Sequence, residues 1–402
     1  MLGRESALKR GVSAADHERL AAVHTDSSAK TPQSGKRSAL GPVGCRPIGA
    51  QGRERRPPKH NTTPHKLMSK HLTLLAGCAV SALALVSSAR ADVKLNDNIT
   101  LSGYAAGAYM NYKASGVPAV DSLFDASKPV PGGGDANDLL TKFTFNYKPV
   151  TTVISFNYFP NLTGSEFTVL DAYATYDFGN GFSITGGKFL SYMGYESFYP
   201  ASMDQISYAD NDFLGAIPAY HTGVHMDYTQ GAISTGVAAL DSVYSPYGPT
   251  KGDGELKHNA GFEGYVQYSA NGLTLWGGVA HDTKGGFEPH SVTTFDVWSS
   301  YQATKDARLG AEFVSKDGGP GAKGTNWIAF LDYSFSGTVS SAFRVSGEEM
   351  ADGGPKFTKY TVCPALQVTP ALAVRVEYSY YSYSNYTSSS ANFFGVQSIF
   401  KF

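Results

Sequence analysis

Cysteine is scarce in this chain: Cys45, Cys78 and Cys363 are all there are in 402 residues. Two of them precede residue 92, in a region that reads as a leader, so neither a disulfide framework nor a thiolate metal cluster is expected. Long apolar runs are missing as well. Beyond residue 91 no stretch reaches the ~18 consecutive apolar residues that mark a membrane-spanning helix, which argues against a helical anchor there. Local catalytic signatures are also lacking: no G-x-S-x-G and no H-x-S occurs. The triplet Gly132–Gly134 lies in a polar loop with no helix after it, so it is no phosphate cradle. His221 and His225 are four apart in a strand pattern, which puts them ~13 Å from each other, too far for a shared zinc ion. His281 and Asp282 are adjacent and so fall on opposite faces. No metal, cofactor or nucleic-acid partner is expected.

What the chain has in plenty is glycine (44), tyrosine (25) and phenylalanine (23), against a charged fraction of 17%, a composition that suits turn-rich β structure. Its charge is unevenly spread. Residues 1–91 hold 15 Lys and Arg against 5 Asp and Glu, leaving 18 against 29 for residues 92–402. The basic part divides again. Residues 1–67 are apolar-poor and without periodicity, and read as a disordered prefix upstream of the true start. Residues 68–91 have a basic Lys70, an apolar core from Leu72 to Val86 and a small-x-small site at Ala89-Arg90-Ala91, the build of a Sec signal peptide cleaved near Ala91/Asp92. "LAGC" at Leu75–Cys78 also fits a lipoprotein box, although the apolar run continues past it. Residues 92–402 are the expected mature domain.

From Ile99 onward, stretches of 8–13 residues alternate with period two between turn signals. In "NWIAFLDYSFSGTVSSAFRVSG", Trp327, Ala329, Leu331, Tyr333 and Phe335 take one side, and Ile328, Phe330, Asp332 and Ser334 the other. "LAVRVEYSY" sets Leu372, Val374, Val376, Tyr378 and Tyr380 against Ala373, Arg375, Glu377 and Ser379. The pattern predicts sixteen strands, near 98–112, 138–147, 152–160, 166–178, 182–188, 219–229, 232–242, 258–270, 273–283, 291–303, 305–316, 324–336, 338–348, 356–368, 370–382 and 391–402. Connections alternate between long loops and tight turns such as "GNG", "QG", "ANG", "TKD" and "SGT". One parity is apolar and aromatic on nearly every strand, and the other is small or charged. Together these features predict an all-β, transmembrane, up-and-down antiparallel barrel in an outer membrane. Aromatics near strand ends (Tyr147, Phe178, Phe335, Tyr378 and Phe402) would sit at the lipid interfaces. Pro364, inside the fourteenth strand, predicts a bulge or break.

The closing "FFGVQSIFKF" is apolar at Phe394, Val396, Phe400 and Phe402 on one parity, and its last strand must pair with the first to remove the sheet edge. This ending resembles the terminal strand by which Gram-negative porins are recognised by the barrel-assembly machinery. "GFSITGGKFLSYMGYESF" and "PAYHTGVHMDY" resemble the OmpL-like β-barrel porins. The resemblance implies an outer-membrane porin of a Gram-negative bacterium, surrounded by lipid and passing small hydrophilic solutes, with a homotrimer as the usual assembly. It also implies that the long third extracellular loop folds inward and narrows the pore.

That loop would be residues 189–218, which bring Glu196, Asp204, Asp210 and Asp212. Inward parity offers three pore-lining arginines, Arg308, Arg344 and Arg375, and the lumen carboxylates Asp171, Glu263, Asp296, Glu312, Asp332 and Glu377; Asp177 and Asp227 are further candidates. Opposed acidic and basic faces would select solutes by charge; alternatively each arginine is simply paired with a lumen carboxylate. A passive diffusion channel is the leading expectation. A substrate-specific channel using Tyr173, Trp276 and Trp298 as a track is one alternative, and a barrel serving as enzyme or adhesive scaffold another. Mass spectrometry of the exported protein is expected to find Asp92 as its first residue; a lipidated chain starting at Cys78 would be the contrary result.

Overall fold

A computed structural model describes residues 92–116, 120–123, 137–161, 164–196, 198–209, 213–244, 260–283 and 290–402. The leader, Asp210 and Asp212 lie outside the described residues. Sixteen long strands follow one another. They are β1 (Ile99–Ala114), β2 (Asn137–Tyr147), β3 (Val150–Asn161), β4 (Gly164–Asp177), β5 (Phe182–Leu190), β6 (Tyr220–Gln230), β7 (Ile233–Leu240) and β8 (Gly261–Ala270). The second half comprises β9 (Leu273–Asp282), β10 (Val292–Thr304), β11 (Ala307–Asp317), β12 (Lys323–Ser334), β13 (Val339–Met350), β14 (Lys356–Gln367), β15 (Leu372–Ser384) and β16 (Ser390–Lys401). Each pairs antiparallel with its sequence neighbours, and β16 pairs with β1, so the sheet closes on itself. Two short strands, Val93–Asn96 and Val120–Leu123, add to the two ends of β1. The predicted strand set thus stands, with bounds shifted by no more than a few residues.

Closure is made at the last residue. The β1–β16 register runs from Ala114↔Ala391 to Tyr104↔Lys401. Beyond it the Gly103 N–H donates to the Phe402 carbonyl at 2.6 Å, and the Phe402 N–H returns to Gly103 O at 3.0 Å. Glycine is required at this point. A Cβ on residue 103 would lie 2.0 Å from the Leu140 carbonyl oxygen and 2.9 Å from the Phe402 ring.

The two parities separate as the sequence predicts. On β12 the side chains of Trp327, Leu331 and Tyr333 are exposed on the outside, while Asn326, Ile328 and Asp332 are buried on the inside. On β15, Val376, Tyr378 and Tyr380 face out, and Arg375, Glu377 and Ser379 face in. Since the ring is closed, the exposed apolar parity covers its exterior, as contact with hydrocarbon demands. Tyr147, Phe178 and Phe335 cluster at the short-turn rim, where Tyr333 and Phe335 rings meet at 5.0 Å and Tyr176 and Phe178 at 4.7 Å. Tyr378 is not among them; it sits midway along β15.

Two irregularities differ from the expected pattern or refine it. Pro364 makes neither a bulge nor a break. Strand β14 runs through it, and the pairs Val362↔Tyr378 and Ala365↔Arg375 keep one register across a local gap in the β14–β15 ladder. The missing proline N–H costs a ladder bond without shifting the strand. A true bulge sits instead on β4: register shifts between Ile154 and Phe156 of β3, so Leu170 and Asp171 together oppose Ser155. Both are buried as a result, and Ser155 Oγ donates to Asp171 Oδ2 at 2.6 Å while accepting the Asp171 N–H at 2.9 Å. The bulge turns the β4 parity so that a carboxylate faces the interior.

Ring closure predicts a penalty at Gly103. Gly103→Val should cost about 1–3 kcal/mol by overpacking against the Leu140 carbonyl and Phe402, read as a lowered midpoint in heat-modifiability gels. A variant as stable as the parent would contradict the tight closure.

Candidate functional site: an insert clamped to the inner wall

The longest described connection joins β5 to β6. Apart from the 3₁₀ turn Pro200–Ser202, its described residues form no helix or long strand, so their backbone N–H and C=O groups need partners from elsewhere. Inward-facing side chains of the wall supply them. Glu263 on β8 accepts the Tyr192 N–H at 3.1 Å and the Ser191 hydroxyl at 2.6 Å. Asp296 on β10 accepts the Gly194 N–H at 2.8 Å, and Glu312 on β11 the Tyr195 N–H at 2.6 Å. Across the ring, Glu377 on β15 accepts the N–H groups of Ile206 (2.5 Å) and Ser207 (2.9 Å). On the way back Glu348 on β13 accepts those of Phe213 (2.8 Å) and Leu214.

Cations treat the carbonyls the same way. Arg375 donates to Met203 O at 2.5 Å and to Pro200 O, with its Nε on Gln397 at 2.8 Å. Arg344 donates to Ser207 O at 2.9 Å and pairs with Glu196. Lys359 donates to Tyr208 O at 2.6 Å, and Lys316 to Leu214 O and Gly215 O at 3.1 Å each. Arg308 bridges the two structures: one Nη2 reaches Asp204 of the insert at 2.5 Å and Asp332 of β12 at 2.6 Å.

Aromatic packing supports the same placement. Tyr195 stacks on Phe330 at 4.5 Å and meets Trp298 edge-on at 5.4 Å. Trp298 stacks on Trp276 at 5.9 Å, and Trp276 on Tyr265 at 6.0 Å. Tyr199 packs edge-on to Tyr104, and its hydroxyl reaches Asp171 at 3.3 Å. Burial raises the phenols of Tyr195, Tyr199 and Tyr244 above their ordinary range. Tyr199 and Tyr244 therefore stay protonated donors, Tyr244 to Ala216 O at 3.0 Å.

The structure thus gathers Arg308, Arg344, Arg375, Glu196, Asp204, Glu263, Asp296, Glu312, Asp332 and Glu377 around one segment, with Asp171 under Tyr199. Asp227 also faces in, whereas Asp177, the last residue of β4, is exposed and its carboxylate accepts the Gly179 N–H of the following turn at 2.8 Å. Sequence reading passed over Lys316, Lys359, Glu348 and Asp282. A usable signal existed for three of them: Lys316 and Glu348 follow Arg308 and Arg344 on the same parity, and Lys359 shares the inward parity of its strand. The Asp282 carboxylate, on β9, accepts the Val243 N–H at 3.0 Å and so secures the chain leaving β7.

Arg344 and Glu196 are almost wholly buried, at 2% and 9% side-chain exposure, so removing one leaves the other uncompensated. Arg344→Leu is expected to loosen the insert by about 3–5 kcal/mol, seen as new proteinase K cleavage within residues 191–219. The double variant Arg344→Leu/Glu196→Leu should recover much of that loss, a coupling that a double-mutant cycle measures.

Comparison with known proteins places the fold. The family model described as "Putative beta-barrel porin-2, OmpL-like" matches residues 141–402. No curated protein matches the sequence. Among solved structures, the chain is similar to an anion-selective porin from Comamonas acidovorans (12% identity, TM-score 0.56, covering 76% of this chain and 99% of that one). It is also similar to Salmonella typhi OmpF in complex with daunomycin (13%, 0.56, 77% and 100%). The outer membrane channel DcaP of Acinetobacter baumannii is a third (12%, 0.54, 78% and 100%). At such identities these structures speak for the fold alone. The family match covers well over half of the chain, and on that ground this closed outer-membrane barrel belongs to the OmpL-like β-barrel porin family.

Proposed function

We propose that the protein is a passive diffusion channel for small hydrophilic solutes and ions, with the β5–β6 insert as its constriction and third extracellular loop. A sixteen-strand ring is too wide for its own side chains to fill. The observation that carries the reading is what lines the inner wall toward the short-turn rim: Ser102, Lys142, Thr144, Thr175, Ser234 and Gln267 face inward and are only half-buried. Polar side chains left part-exposed inside a closed barrel suit water rather than a packed core. The clamped insert narrows that space at a fixed place instead of swinging through it.

Selectivity would come from lining charge. Described inward-facing and insert carboxylates, Asp138, Asp171, Glu196, Asp204, Asp227, Glu263, Asp296, Glu312, Asp332, Glu348 and Glu377, outnumber inward-facing cations such as Lys142, Arg308, Lys316, Arg344, Lys359 and Arg375. This balance favours cations, unlike the anion preference named for the Comamonas porin. The arginines hold the insert and, by the same positions, set the field across the constriction. The alternative of an aromatic track is less well supported. Trp276 and Trp298 are only 6% and 7% exposed, their faces taken by each other and by Tyr265, so they form a bed for the insert. Export by a signal peptide cleaved after Ala91, recognition of Phe402 by the assembly machinery, and a homotrimer embedded in outer-membrane lipid complete the proposal.

Purified residues 92–402 are expected to give stepwise conductance in planar bilayers, with a reversal potential of cation-selective sign. Arg308→Gln should move that potential further in the cation direction. Absence of conductance in correctly folded barrel would refute the diffusion reading, and saturable block by one solute would favour the specific channel.

A further inference from the structure

Strands β6 to β9 differ from the rest of the inner wall. Residues 220–244 and 260–283 contain no Lys or Arg, yet Asp227, Asp241, Glu263 and Asp282 are all buried there. Two histidines on β6 each meet one of these carboxylates. His225 Nδ1 lies 2.5 Å from Asp227 Oδ2, and His221 Nε2 lies 3.5 Å from Glu263 Oε2. Both imidazoles are nearly enclosed, at 3% and 8% exposure, and the Phe189 ring of β5 meets each edge-on, at 5.4 Å from His221 and 4.5 Å from His225. His281 is not part of this group: it shares the outward parity of β9 and contacts Thr293 Oγ1 at 2.9 Å.

The partners of these histidines are the groups that hold the root of the insert. Glu263 takes the Ser191 hydroxyl and the Tyr192 N–H. Asp227 accepts the Tyr192 hydroxyl at 2.9 Å and that of Tyr265 at 3.4 Å. The Tyr192 ring also packs on His225 at 5.5 Å. On the other flank Asp241 accepts the Thr222 N–H at 3.3 Å, and Asp282 accepts the Ser242 hydroxyl. On β5, Thr185 and Phe189 lie opposite them in the ladder, and the Lys188 ammonium donates to Val169 O at 2.8 Å.

We propose that His221 and His225 form a pH-sensitive latch on the insert root. With both imidazoles neutral, four buried carboxylates share this sector and are supported by hydrogen bonds alone. When the imidazoles take up protons, each faces a carboxylate as an ion pair, His225 with Asp227 and His221 with Glu263. Glu263 and Asp227 are then fixed in the positions that receive Ser191 and Tyr192. Acid therefore tightens the insert at its root, and mild alkali frees it. The latch would regulate the channel proposed above, but it is a property of the insert and does not require conduction.

Hydrogen–deuterium exchange of the folded barrel in detergent tests it independently of transport. After correction for intrinsic exchange, protection of the Tyr192–Gly194 amides is expected to be about tenfold greater at pH 5.5 than at pH 8. In His221→Gln/His225→Gln the two values should agree to within about twofold. Each single variant should retain part of the dependence, which keeps the test open if the double variant fails to fold. Equal protection in the parent at both pH values, or a dependence unchanged in the histidine variants, overturns the latch. A non-conducting barrel that still shows the histidine-dependent change would sink the transport reading and leave the latch standing.

Discussion

Every backbone N–H and C=O buried in a bilayer must find its partner within the protein, because hydrocarbon offers none. The rest of this structure follows from that requirement. It makes the strands pair without interruption around the ring, and it makes Phe402 and Gly103 exchange both of their hydrogen bonds at the seam. It also leaves Pro364 as a local gap instead of a break, since the lost N–H is one bond in a ladder held on the other side by β13.

The same requirement explains why the inner wall is so heavily charged. An irregular segment inside the barrel cannot satisfy itself, and the short hydroxyl side chains of a barrel wall reach only a little way inward. Glutamate, lysine and arginine reach further and bond more strongly to peptide groups. Carboxylates take the N–H groups of the insert from Tyr192 to Leu214, and cations take its carbonyls from Pro200 to Gly215. Each of these carboxylates and cations thus works as a ligand for backbone, whereas Arg308 joins two carboxylates. The aromatic rings at Tyr195, Trp298 and Trp276 fill what lies between.

Much of the fold was legible because its cause is local. Period-two alternation is imposed residue by residue by the pleat and by the contrast between lipid and water, so Trp327, Leu331 and Val376 reveal their side without any knowledge of neighbours. The insert was legible only as a gap between strand patterns and as a set of acids. Which wall residue each of its peptide groups meets depends on a path across the ring, and no spacing in the sequence encodes that Glu377 would hold Ile206 and Ser207. Asp171 and Asp177 show the limit within a strand. Parity counts both as lumen residues, but the first reaches the interior through a bulge, and the second is spent at a turn, on Gly179.

Charge and architecture are therefore hard to separate in this wall. Arg308 satisfies Asp332 on the wall and Asp204 on the insert at once. A substitution of that charge therefore also changes how firmly the insert is held. The β6–β9 sector is the exception that clarifies the rule. With no lysine or arginine on its four strands, it must balance its carboxylates with hydrogen bonds and imidazoles, whose charge depends on the medium. A wall built from both kinds of sector joins a permanent clamp on one side to a conditional one on the other. The root of the insert, between Ser191 and Gly194, lies where the conditional side begins.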